Sequence, residues 1–254
     1  AQIASAIAAV LGSALASISF HFVIWLSVVP QLATLFIALS LTEPQKKIIR
    51  KVKISETFQD ALKQLKANPT LRLLTVTSVT RYAIGEAGYQ FRSAFVNLVW
   101  PLWAIGIANM LSNICGAISC YFSGRLITKI GSLKILSFEI IFNRLANFIA
   151  LFYPTVVSPI IMSTTSLPFG VSNVAESMLL QKEFTNKQRA TLGSINSFLG
   201  SVLFAIVAIG VGSVADNLGP AKTLIILQAI LITPLFFYWK IFMHEKKTFK
   251  QHKE

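Results

Sequence analysis

Five ionisable side chains, Arg81, Glu86, Glu139, Arg144 and Glu176, stand inside long apolar runs of a 254-residue chain. A charge near the middle of a bilayer costs about 3 kcal/mol on insertion scales unless it faces protein or water, so each is a candidate for binding or proton transfer. Glu86 lies in Gly85-Glu86-Ala87-Gly88-Tyr89, where small neighbours admit a ligand or a second helix, and Tyr82 and Tyr89 share one helical face. A carboxylate there can bind a cationic solute group or carry a coupling proton. The alternative is a buried ion pair with Arg81 or Arg144 that only holds helices together. Arg81 and Glu86 are about 140° apart around a helix, so each looks to another element rather than to the other.

Arg144 has Asn143 beside it and Asn147 three residues on, a polar stripe midway along its run. An anionic solute would be anchored by Arg81 or Arg144; structural pairing with Glu139 or Glu176 is the competing use of these arginines. In the next run Pro168, Gly170, Ser172 and Asn173 weaken the helix near its middle. A proline there removes a backbone hydrogen bond and strikes the preceding turn, so a kink is expected. Asn173 and Glu176 fall on one face, where Asn173 and freed carbonyls either touch solute or simply pack.

The elements that must carry these residues are eight apolar runs, over 2–19, 20–41, 71–97, 100–123, 133–152, 155–181, 191–214 and 221–242. Roughly 20 helical residues cross the hydrocarbon of a bilayer, so the fold class reads as an all-α, polytopic membrane helical bundle. A composition of 54% apolar and 13% charged residues agrees with that and not with a soluble chain. The net charge of +13 is spread over several loops and the tail, without the continuous basic face of a nucleic-acid reader, so nucleic acid is not an expected partner. Cys115 and Cys120 lack metal or redox spacing and read as small packing residues. Gly193, Gly200, Gly210 and Gly212, with Ser194, Ser197 and Ser201, read as a small-residue packing stripe.

Lysine and arginine pile up in every second connection. The segments 42–72, 124–134, 181–189 and 240–254 hold nineteen of them, whereas the intervening connections hold Arg92 and Lys222. The positive-inside rule therefore puts the basic set, and the C-terminus, in the cytoplasm. Within residues 42–70, Phe58, Ala61, Leu62 and Leu65 recur at helical spacing with Ser55 as N-cap, which suggests an amphipathic helix on the inner membrane surface. Ala1 is preceded by neither a methionine nor a charged n-region, so a piece of a longer protein is expected, without a signal peptide.

The junction after the fourth run reads Gly124-Arg125-Leu126-Ile127-Thr128-Lys129-Ile130-Gly131. It resembles the short cytoplasmic loop of the major facilitator superfamily, whose pattern is roughly G-R-L-x-D-R-x-G-R-R. Thr128 stands where the family usually has an acidic residue, and Ser132 and Leu133 replace the trailing basic pair. The stretch from Gln188 through Asn196 to Ser197, and the segment from Gly212 through Asp216 to Gly219, look like the two ends of the family's eleventh helix. The resemblance covers the whole chain and implies that its eight spans are helices five to twelve of twelve. Residues 1–41 would then be the last two helices of the N-terminal bundle and 42–70 the basic cytoplasmic linker. Residues 71–242 would form the complete C-terminal six-helix half, and 243–254 a basic cytoplasmic tail. The missing N-terminal helices of the same protein, and the lipid bilayer, would be its partners.

The resemblance further implies two pseudo-symmetric bundles that rock about a solute held at the midplane. In that arrangement Arg81, Glu86, Tyr89, Asn143, Arg144 and Asn173 are the candidates for the solute or proton path, Glu86 lying on a helix that lines the cavity. Gly124, Arg125, Lys129 and Gly131 would form a gating loop, with Glu139 and Glu176 at the right depth to pair with Arg125 and Lys129. The plainer use of the loop is an ordinary basic turn on the inner side. No GxxxxGK[ST] loop is present for ATP hydrolysis, and no HExxH or GxSxG for an intramembrane enzyme. The function expected is a secondary active transporter of a small-molecule solute in a plasma or inner membrane, with no cofactor and no catalytic or metal site. H+ through Glu86 is the sharper version of the coupling ion. The alternative is a non-transporting membrane scaffold or sensor of the same fold.

Overall fold

The computed structural model describes residues 2–42, 54–184 and 188–251. Every regular element among the described residues is helical. The chain runs through α1 (Gln2–Ala16), α2 (Phe20–Ser40), α3 (Ile54–Ala67), α4 (Pro69–Val99) and a 3-10 turn (Leu102–Ala104). It continues through α5 (Ile105–Ile130), α6 (Ser132–Phe152), α7 (Ser158–Thr164), α8 (Ser166–Glu183), α9 (Arg189–Leu218), α10 (Pro220–Ile230) and α11 (Thr233–Gln251). Among the described residues five spans are long and apolar enough to cross a membrane: Phe20–Ser40, Leu102–Ile130, Ser132–Phe152, Arg189–Leu218 and Pro220–Met243. The other three expected spans fall short for separate reasons. At 15 residues α1 is too short, α4 carries Arg72, Arg81, Glu86 and Arg92 along its length, and the sixth, divided between α7 and α8, is diluted by Ser, Thr, Pro and Asn and carries Glu176, Lys182 and Glu183.

Both divided spans break four residues before a proline. The Pro168 ring would strike the carbonyl of Thr164, and the Pro234 ring that of Ile230; α7 ends at Thr164 and α10 at Ile230. Restarting the helix puts each proline in the first turn of α8 or α11, where a backbone N–H has no intrahelical partner to lose. At the start of α4, Asn68 caps the helix by accepting from the Leu71 N–H at 3.0 Å, with Pro69 at the first position. The basic cluster Lys46, Lys47, Arg50, Lys51 and Lys53 lies outside the described residues. Ser55 falls inside α3 and so is not its N-cap. Ala61 is fully buried and Leu65 partly so, in a cluster with Leu71 and Leu192, so α3 seats its apolar face on α4 and α9.

The expected loop at 124–134 is shorter than its sequence suggests. Helix α5 runs through Ile130 and α6 starts at Ser132, leaving Gly131 alone between them at φ +90. Gly219 does the same between α9 and α10 at φ +78, ψ 165. L side chains avoid that region, so Gly219→Ala is expected to cost about 1–3 kcal/mol of stability. Gly193→Ala in the open helical surface of α9 should be neutral or slightly stabilising, and thermal unfolding of the two variants in detergent checks the contrast.

Packing between these helices cannot rest on expulsion of water where lipid surrounds them; it rests on close van der Waals fit. Helix α1 lies tightly on the 3-10 turn and α5: Ser13 donates to the Trp103 carbonyl of the turn at 2.9 Å, and a Cβ at Gly106 of α5 would run into Ser13 and the Ala9 carbonyl. Helix α2 has no buried residue. Two apolar clusters hold the remaining helices. One joins Leu71, Leu74, Ile135, Leu136, Ala175 and Tyr238; the other joins Phe95, Val96, Ala108, Leu151, Met162 and Leu224. On α4 Ser78 and Arg81 come between these two sets along the helix, and on α6 Asn143, Arg144 and Asn147 do, so the bundle carries a polar layer between two apolar clusters.

Candidate functional site

A cavity of about 750 Å³ occupies that polar layer. Helix α4 contributes Ser78, Arg81, Gly85, Gly88 and Arg92, whose steps of three and four residues make one stripe, and Tyr82 and Tyr89 flank it. Helix α6 contributes Glu139, Asn143, Arg144 and Asn147, and α8 contributes Asn173 and Glu176. Asn196, Ser197 and Ser201 come from α9, Gln228 from α10, and Gln2 and Ser5 from α1. All six residues expected on the solute or proton path therefore border one space, as do Glu139 and Glu176.

The centre of the site is Arg81, 8% exposed, which ties four helices together. Its Nη1 donates to Glu176 Oε2 on α8 at 2.8 Å and to the Tyr238 hydroxyl on α11 at 3.4 Å. Its Nη2 donates to the Ser172 hydroxyl at 3.1 Å and lies 3.2 Å from Glu139 Oε2 on α6, an ion pair without hydrogen-bond alignment. The Tyr238 hydroxyl donates to the other Glu176 oxygen at 3.1 Å, and Asn143 Nδ2 donates to Glu139 Oε1 at 2.6 Å. One guanidinium thus faces two buried carboxylates, each further held by a neutral donor. Such pairs are costly to bury and costlier to break from one side.

The pairs expected of the gating loop are not formed among the described residues. Glu139 and Glu176 are occupied by Arg81, whereas Arg125 and Lys129 are exposed on α5 and form no ion pair among the described residues. The cause is the face of the helix: α5 turns Ser119 onto Leu167 and Val171 of α8 and leaves Arg125 and Lys129 exposed, whereas Arg81 projects from the middle of α4 between α6 and α8. Gly124, Arg125, Lys129 and Gly131 do not line the cavity. Among the described residues structural pairing holds for Arg81 and not for Arg144, and Glu86 has no arginine partner: its Oε1 accepts from Gln90 Nε2 at 2.9 Å.

Arg92 was expected in a connection and lies instead in the last third of α4, 5% exposed. Its Nη1 donates to the Ser112 hydroxyl at 3.0 Å and the Met162 carbonyl at 3.4 Å. Its Nη2 donates to the Pro159 carbonyl at 3.1 Å and the Ser163 hydroxyl at 2.8 Å. It is a cation held by neutral acceptors, and the signal for it was its place as the next step of the α4 stripe inside the 71–97 run. The small residues of α9 also divide. Only Gly200 is pressed, a Cβ there falling 2.9 Å from Tyr82 Cδ1, while Gly193, Gly210 and Gly212 meet nothing within 4 Å. Cys120 borders the cavity and is exposed, so it is not a core packing residue.

Several cavity groups are left without partners. Arg144 makes no hydrogen bond or ion pair among the described residues. Its Nε and Nη1 are buried and unpaired, as are Asn143 Oδ1, Asn196 Oδ1 and Gln228 Oε1. A site of this kind offers a free cation, free amide oxygens and the partly buried Glu86 carboxylate around a space of ligand size. No protein-family model matches the sequence, and no curated protein matches it.

Proposed function

We propose that the chain is the C-terminal two thirds of a secondary active transporter of the major facilitator type, which moves a small solute by alternating access. The observation that carries this reading is the cavity of about 750 Å³, lined by three arginines and three glutamates, within a bundle of helices apolar enough to span a membrane. Intramembrane charges facing such a space are what a solute path requires. The two helix breaks ahead of Pro168 and Pro234 add unwound backbone of the kind transporters place beside their sites. In this reading α1 and α2 belong to the preceding half, whose absent helices close the cavity on the side where Tyr82, Tyr89 and Asn173 are exposed. With Arg92 inside α4, the segments assigned to the outer side keep Lys222 alone, which supports a cytoplasmic C-terminus and 42–70 linker.

The test is flux by the full-length protein in proteoliposomes, over a solute panel, under imposed proton and sodium gradients. Gradient-driven accumulation of one solute class is expected; a panel without flux above empty liposomes contradicts the proposal. Coupling to protons through Glu86 is tested separately. Glu86→Gln should abolish pH-gradient-driven accumulation while leaving exchange of solute for solute within about threefold of the parent. Unchanged pH-driven uptake in Glu86→Gln removes Glu86 from the proton path.

A further inference from the structure

We infer that the cavity takes a small organic anion that also carries several O–H or N–H donors, a hydroxylated or aminated carboxylate, with Arg144 as its anchor. The inference rests on the transporter reading above and names the class of solute. Its basis is the inventory of unmatched groups. Arg81 is matched by Glu139 and Glu176, and the terminal nitrogens of Arg92 are matched by two hydroxyls and two carbonyls. Arg144 alone among the lining arginines has two buried nitrogens with nothing to donate to and no partner at all among the described residues. A guanidinium left unpaired in a low-dielectric layer is costly, and a carboxylate placed on it removes that cost.

The neutral groups specify the rest of the ligand. Asn143 and Gln228, 4% and 6% exposed, each leave a side-chain oxygen without a donor, and Asn196 leaves a third. Each is an acceptor, so the ligand must bring hydrogens to them. A bare inorganic anion or an apolar acid would satisfy Arg144 and leave these oxygens empty. A neutral polyol would satisfy the oxygens and leave Arg144 empty. A polar site rejects a ligand that lacks the matching group by far more than an apolar pocket does, because its own groups then stay unpaired.

The experiment is calorimetric binding to the purified full-length protein in detergent, paired with counterflow in liposomes. Probes are gluconate, quinate and glutamate, with sorbitol as the uncharged match of gluconate and glucamine as its cationic match. At least one carboxylate should bind at least tenfold more tightly than sorbitol and glucamine. Arg144→Gln should erase that preference, and Arg144→Lys should restore part of it. Gln228→Leu, away from the charged cluster, should weaken the same carboxylate severalfold and serves if Arg144→Gln does not fold. Equal binding of sorbitol or glucamine, no binding by any of the three carboxylates, or full affinity in the folded Arg144→Gln overturns the inference. Carboxylate binding without counterflow would count against transport and leave the anion site standing; counterflow of a neutral or cationic solute alone would do the reverse.

Discussion

Replacing Arg81 by methionine is expected to destabilise the protein by about 3–5 kcal/mol, the cost of removing one partner from a buried ion pair. The substitution keeps most of the volume, so packing is not the main loss. What remains is two carboxylates, Glu139 and Glu176, both less than a tenth exposed and without a countercharge in contact. Tyr238 and Ser172 lose a donor, and the joint between α4, α6, α8 and α11 opens. The triple variant Arg81→Met, Glu139→Gln, Glu176→Gln should recover most of the loss, because amides at the two acidic positions need no cation. Thermal unfolding in detergent checks both. A single variant within about 1 kcal/mol of the parent, or a triple variant no better than the single, would show that the pair does not organise the bundle.

The second large effect is expected at Gly170→Leu, where α5 and α8 cross. A Cβ at Gly170 already falls 2.7 Å from Ser119 Cβ and 2.9 Å from the Gly116 carbonyl, and the latter is backbone that cannot swing aside. The same crossing holds Ser119, whose hydroxyl donates to the Leu167 carbonyl and accepts from the Val171 N–H at 2.9 Å. One added methylene in a tight contact costs about 1–3 kcal/mol, so alanine should fall in that range and leucine beyond it. Leucine should also displace α8 and with it Ser172 and Glu176, so that loss of solute binding accompanies loss of stability. Normal stability and normal binding in Gly170→Leu would mean that the crossing is looser than described.

Much of this was readable from residue types alone. Hydropathy located the long helices, although α5 continues to Ile130 past the run drawn to 123, and Pro168 announced a break because its ring excludes the carbonyl four residues back. The candidates Arg81, Glu86, Tyr89, Asn143, Arg144 and Asn173 were separable because an ionisable or amide group in an apolar run needs a reason. Who pairs with whom was not readable. The choice of Arg81 for Glu139 and Glu176, in place of Arg125 and Lys129, depends on the rotation and depth of three separate helices, which no one helix encodes. Arg92 was missed for a different reason: near the end of the 71–97 run it was counted with the connections, although it continues the Ser78, Arg81, Gly85, Gly88 stripe. A basic run between two glycines read as a loop, but only Gly131 leaves the helix, since nothing in Arg125 to Ile130 opposes helix formation.

The proposed alternating access is tested most directly at Cys120, which is exposed, borders the cavity and lies near the middle of α5. The measurement is labelling of Cys120 by a membrane-impermeant maleimide in right-side-out and inside-out vesicles, in the full-length protein with Cys115 and any other cysteine replaced by serine. Reaction from both faces is expected, with solute shifting the balance between them, because a rocking bundle exposes the cavity to each side in turn. Reaction from one face only, whatever the solute or gradient, would contradict a transporter and leave a static polar pocket in a membrane bundle.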